Sequence, residues 1–173
     1  MKRLLMVTMV LGVLAAWAGA QAPPRRMAPA DQVKLLHRNR TLYQAAVKSG
    51  LEVTSQFDPL ERAHSTTLLA RQLSDEIKSA AKEQDSDRAA ELCRHLVRLV
   101  DQGVTPNLSQ ARSRIPAGSE AERLLLQRRD EVLEVLKPLE ETLRNQFKSS
   151  KEVDAVLREL SAGRAKVESS AKK

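Results

Sequence analysis

From Asp31 to Ala162 the apolar residues return at spacings of three and four, segment after segment, which is the period of an amphipathic helix. Nothing in that stretch alternates in the way a half-buried strand would. Aromatic residues make up 2% of the chain and there are 6 glycines, whereas sandwiches and barrels lean on aromatic and β-branched strands joined by frequent glycine turns. Hydrophobic residues amount to 42%, enough to build a core and too many for general disorder. At 173 residues a single folded domain is the expectation. The fold class that follows is all-α: an antiparallel helical bundle of three to four long helices plus a shorter C-terminal helix, occupying residues 31–162.

Punctuation divides the pattern. A first helix is expected from about Asp31 to about Val53, with Leu35, Leu36, Leu42, Tyr43, Ala46, Val47 and Leu51 on its apolar stripe. Asn39 falls on that stripe, where an asparagine fixes helix register. Phe57-Asp58-Pro59-Leu60-Glu61 then carries an N-cap aspartate, a proline at the first helical position and a glutamate three residues after the cap. The second helix should reach about Gln84 and bury Leu69, Leu73, Ile77 and Ala80. A polar turn over residues 83–87 leads into a third, burying Ala89, Leu92, Cys93, Leu96, Leu99 and Val100. Gly103 is expected to stop it, since glycine enters the left-handed region without steric cost. Thr105-Pro106 restarts a short turn or helix to about Arg114. Ile115-Pro116-Ala117-Gly118 is a loop, and Ser119 with Glu122 forms a capping box for a fourth helix. That helix carries Leu125, Val132, Leu136, Leu139, Leu143 and Phe147, with Pro138 expected to kink it without ending it. Val153, Val156, Leu157 and Leu160 mark the last piece, and residues 163–173 are expected to form a basic, disordered tail.

The N-terminal segment reads as an address. Lys2 and Arg3 precede an uncharged run from Leu4 to Ala18, and Ala18-Gly19-Ala20 offers small residues for a cleavage pocket. We therefore expect a signal peptide over residues 1–20, followed by a flexible arm over 21–30 that holds Pro23, Pro24 and Pro29. The other reading, an uncleaved anchor on the uncharged stretch from Leu4 to Pro24, is weakened by Thr8, Gly12, Gly19, Pro23 and Pro24 within it. Export to the periplasm or the medium follows. Loss of Lys2 and Arg3 lowers the net charge from +7 to +5. The basic excess gathers at the two ends. Arg25, Arg26, Lys34, Arg38 and Arg40 face only Asp31, and Arg164, Lys166, Lys172 and Lys173 face only Glu168. For an exported chain the matching partners are an envelope protein or client polypeptide, with anionic envelope polymers or lipid surfaces drawn to the basic ends. Nucleic acid is a poor match, because Tyr43, Phe57 and Phe147 are the only aromatics left to stack on a base.

Few residues suggest chemistry. Glu61 and His64 form Glu-x-x-His, the spacing that points a carboxylate and an imidazole inward in di-iron bundles. A complete site needs a second copy, and neither His37 nor His95 has an acid three residues before it. Glu91 and His95 lie four apart and could share a metal with a neighbour, although Arg88 and Arg98 flank them. Cys93 is the single cysteine. Among leucines its thiol should be a poor nucleophile, while in an oxidising compartment a lone thiol can form an intermolecular disulfide across a homodimer. No phosphate-cradling glycine loop, zinc-protease helix or nucleophile elbow is present. The expectation is an exported, non-enzymatic helical interaction protein with no cofactor and a chaperone-like or structural role. The alternative is a metal-binding or metal-sensing bundle that uses Glu61, His64, Glu91 or His95.

From Asp58 to Leu108 the chain resembles a group of uncharacterised exported helical bacterial proteins. The shared marks are Asp58-Pro59-x-x-Arg62-Ala63, Leu69-Ala70, Leu73, Glu76-Ile77, Gly103-Val104 and Asn107-Leu108. The resemblance implies export and a helical fold and carries no activity. In size, charge and helix content the chain is also similar to small periplasmic chaperones and stress sensors of the Spy kind, without the Leu-Thr-x-x-Gln motif that marks them.

Overall fold

The computed structural model describes residues 29–148 and 150–172. The expected signal peptide over 1–20, and the expected arm up to residue 28, lie outside the described residues. The chain divides into two units, residues 1–39 and 40–173. The all-α expectation holds: every regular element is a helix, and no strand occurs among the described residues. These elements are α1 (Pro29–Ser55), α2 (Pro59–Lys82), α3 (Ser86–Leu99), a π-helical turn (Val100–Val104), α4 (Thr105–Arg114), α5 (Glu120–Gln146) and α6 (Lys151–Ser170).

The caps act as their residues dictate. Asp58 accepts from the Leu60 backbone at 2.9 Å, with Pro59 opening α2 where no amide donor is needed. Ser119 accepts from Glu122 N at 3.2 Å, and the Glu122 carboxylate reaches back past the cap residue to accept from the Gly118 amide. Ser150 caps α6 through Val153 N. At the end of α2, Gln84 takes the left-handed conformation (φ 59°) that glycine usually supplies, and Asp85 N returns to Ala80 O at 3.0 Å. The Gln84 side chain then donates to Gln146 Oε1 at 2.9 Å, which ties this non-glycine turn to the far end of α5.

α2 packs on α3, α4 and α5, while α6 packs on α3, α4 and α5. Contacts along the helices give their directions. Glu76 meets Arg88, and Arg62 meets Asn107 and Gln110, so α2 runs antiparallel to α3 and α4. Arg164 meets Glu140, so α5 and α6 are antiparallel as well. Across the two hairpins the sense reverses. Glu61 and His64, early in α2, meet Arg128 and Glu131, early in α5, which makes those two helices parallel neighbours. Lys166, late in α6, meets Asp101 just past α3, and these are parallel too. Short connections correctly imply antiparallel hairpins. The link over residues 115–119 carries the chain to a helix that packs on α2 and not on α3.

The core contains Leu96, Val100, Leu125, Val132, Leu136, Leu139, Leu143, Val153 and Leu160, each nearly inaccessible to solvent. Four expectations need correction. Ile77 and Ala80 are buried as expected, but the rest of the buried face of α2 includes Ala63, Thr66, Thr67, Ala70, Ser74 and Ala81, whereas Leu69 and Leu73 are half-buried and Leu68 is exposed. Small residues let α2 approach its neighbours closely. Thr66 and Thr67 can be buried because their hydroxyls donate to the carbonyls of Arg62 and Ala63, each at 2.7 Å. Gly103 does not stop the helix. The chain passes through the π turn, where Thr105 N bonds Val100 O, and Pro106 then sits at the start of α4, where its missing N–H is tolerated. A Cβ on Gly103 would lie 2.7 Å from Thr66 Cγ2, so close approach is what selects glycine here.

The C-terminal segment is not a disordered tail over residues 163–172. α6 continues to Ser170, with Gly163, Val167 and Ala171 buried. The first helix, expected to be part of the core, leaves Ala46, Val47 and Leu51 exposed; among its described side chains Leu42 packs against the core, and the side chains of Leu35, Leu36 and Tyr43 lie outside the described ones. α5 runs through Pro138 without a break, as expected, and Thr142 Oγ1 donates to the Pro138 carbonyl at 2.8 Å.

Candidate functional site

The Glu-x-x-His pair does lie on one face of α2, and the parallel packing sets it against Arg128-x-x-Glu131 of α5. Arg128 Nη1 stands 2.8 Å from His64 Nδ1 and 3.1 Å from both Glu131 oxygens, while Nη2 is 3.5 Å from Glu61 Oε1. His64 Nδ1 is 3.2 Å from Glu131 Oε2. A guanidinium therefore holds the place between two carboxylates and an imidazole where a cation would bind. Glu91 and His95 are exposed on α3 and do not join this cluster. Among the described residues, no group of three or more His, Cys, Asp and Glu is arranged to hold a metal ion.

Sequence reasoning missed Arg128 and Glu131. Their spacing repeats that of Glu61 and His64, with a positive residue in first place, but only parallel neighbours bring the two pairs level. Burial by itself pushes the Glu131 carboxyl up. Hydrogen bonds from Arg128 and His64, the Arg128 charge and a bond from Gln127 outweigh it and hold the group below its ordinary 4.5. A depressed carboxyl stabilises the fold above its unfolded value, and that stabilisation is lost as the pH falls through the lower folded value. The urea midpoint of the wild type should therefore drop below about pH 4.5 more steeply than that of Glu131→Gln, with the two curves converging at the acid end. Parallel curves from pH 7 to pH 2 would contradict this pairing.

Cys93 is fully buried within the core. It sits there as a small core residue, and an intermolecular disulfide through its sulfur would require the bundle to open. Two of the basic residues at the C-terminal end are paired within the fold. Arg164 pairs with Glu140 at 3.0 Å and with Glu168 at 2.9 Å, and Lys166 pairs with Asp101 at 2.8 Å. Hydrogen bonds to Glu140, and the charge of that carboxylate, raise the Arg164 guanidinium further above its already high value. At the other end Arg40 is exposed, and Arg25 and Arg26 lie outside the described residues.

Apolar exposure has a clear location. On the second half of α1, Val47 is 65% exposed and Leu51, one turn later, is 69% exposed; Phe57, in the connection to α2, is 96% exposed. Beside Phe57 a shallow recess is lined by Pro59, Leu60, Ala111, Ile115 and Ala121, with Asp58 and Arg114 at its edge. The other recesses, between α2 and α5 and between α5 and α6, are lined mainly by charged side chains.

In comparisons with known proteins the chain matches no protein family, no curated protein and no solved structure.

Proposed function

We propose that this is an exported, non-enzymatic helical protein that binds other polypeptides through the second half of α1 and the connection that follows. The observation that carries the reading is the run of large apolar side chains, Val47, Leu51 and Phe57, held in solvent while the bundle buries its own leucines. Apolar groups gain about 25 cal/mol for each Å² removed from water, so such a surface favours a partner that covers it. An amphipathic helix offering residues one turn apart suits a helical or extended apolar segment of another chain. The metal-sensing alternative loses its main support, since Arg128 supplies the positive charge that Glu61, His64 and Glu131 would otherwise attract.

A photo-crosslinking residue placed at position 47 or 51 of the exported protein tests the proposal, with one at Glu134 as the control on the bundle surface. Adducts with other polypeptides are expected at 47 and 51 and not at 134. Equal adducts at all three positions, or none at any, would remove the reading.

A further inference from the structure

We infer that Arg62 is the positioning residue of this binding surface, setting the angle at which the second half of α1 leaves the bundle. The inference rests on the polypeptide-binding reading and adds the joint that presents the surface. One guanidinium gathers three segments. Its Nη1 donates to the carbonyls of Gln56 at 3.2 Å and Phe57 at 3.0 Å, both in the connection between α1 and α2. Its Nε donates to Asn107 Oδ1 and its Nη2 to Gln110 Oε1, each at 2.8 Å and both on α4.

The neighbours of the joint are fixed in turn. Asn107 Nδ2 donates to the Gly103 carbonyl at 2.6 Å, which anchors the receiving side to the π turn. Gln56 Nε2 lies 3.0 Å from Ser65 Oγ, a second tie between the connection and α2. Asp58 caps α2 and Pro59 restricts its own φ, so the three residues 56–58 have little freedom while the guanidinium is in place. The connection's carbonyls need a donor that reaches them from α2 while still bonding two side chains on α4. The planar fork of arginine spans that distance, and the single ammonium of lysine does not. The arrangement also gives a common purpose to residues that looked like scattered marks in the sequence: Asp58-Pro59-x-x-Arg62 and Asn107, 45 positions beyond the arginine, are two sides of one elbow.

The full chain tests this with nitroxide labels at Lys48→Cys and Lys137→Cys, the buried Cys93 staying unlabelled, and with interspin distances read by double electron–electron resonance. A narrow distribution is expected with Arg62, a broad one with Arg62→Gln, and an intermediate one with Arg62→Lys, while circular dichroism shows the bundle still folded in all three. Adduct yield from the crosslinker at position 51 should fall severalfold in Arg62→Gln, in proportion to the lost population of the presenting angle. An unchanged distribution in Arg62→Gln overturns the inference whatever the crosslinking shows. A broadened distribution with undiminished adducts overturns the positioning role and leaves polypeptide binding intact. Absence of adducts even with Arg62 present overturns the binding reading instead, and the distance distributions still decide whether the guanidinium sets the angle.

Discussion

Iodoacetamide should leave Cys93 unmodified in the folded chain and alkylate it completely in urea, with the folded-state rate set by opening of the bundle. The side chain is wholly covered by the core. Burial pushes its thiol from 9.0 up to about 12, with Glu159 adding to the effect, Arg94 opposing it and Glu140 adding again. A raised thiol stabilises the fold fully below its unfolded value, and that stabilisation is lost as the pH climbs from the unfolded value towards the folded one. Over that interval the loss amounts to about 4 kcal/mol, which is large beside the stability of a small domain. Urea midpoints between pH 8 and pH 11 should therefore fall faster for the wild type than for Cys93→Ala. Alkylation of the folded chain at the rate of a free thiol would show that residue 93 is not in the core.

The second large effect is a contrast between two leucines. Leu136→Ala should cost about 2 to 5 kcal/mol, because it leaves a cavity in a core position with no solvent access. Leu51→Ala should change the urea midpoint by less than about 0.5 kcal/mol, because that side chain is already in water. Both residues lie on leucine-bearing helical stripes in the sequence. Comparable losses for the two would mean that α1 is part of the cooperative core and that its apolar face is not a surface.

These contrasts show where the sequence is informative. Helix starts were legible because their signals are local: Asp58-Pro59 and Ser119-x-x-Glu122 act within four residues of themselves. The stripes on α3 and α5 were legible because leucine at helical spacing has few other uses. The inner face of α2 was not, since Thr66, Thr67 and Ser74 look polar, and only the return of threonine hydroxyls to the preceding turn lets such residues face inward. Gly103 has the sequence signature of a stop because glycine at a helix end commonly is one. Here it is required by contact with Thr66, 37 positions earlier, which no local rule contains. The candidate site was half legible. Glu61 and His64 could be paired from spacing, but Arg128 joins them only through the parallel packing of α2 and α5, and Asn107 joins Arg62 only through the tertiary fold.

The parallel seam between the two hairpins also orders the assembly of the chain. Each hairpin closes through a connection of a few residues, at 83–85 and at 147–150. The seam closes only when residues about as far apart as His64 and Glu131, separated by 67 positions, come together. Loop-closure entropy makes the long closure about 2 to 3 kcal/mol more costly than the short ones, so the hairpins pair within themselves before they pair with each other. As the chain emerges in order, residues 59–114 can form a hairpin before α6 exists. The half synthesised first then waits with the inner faces of α2 and α3 uncovered until α5 and α6 arrive to close them.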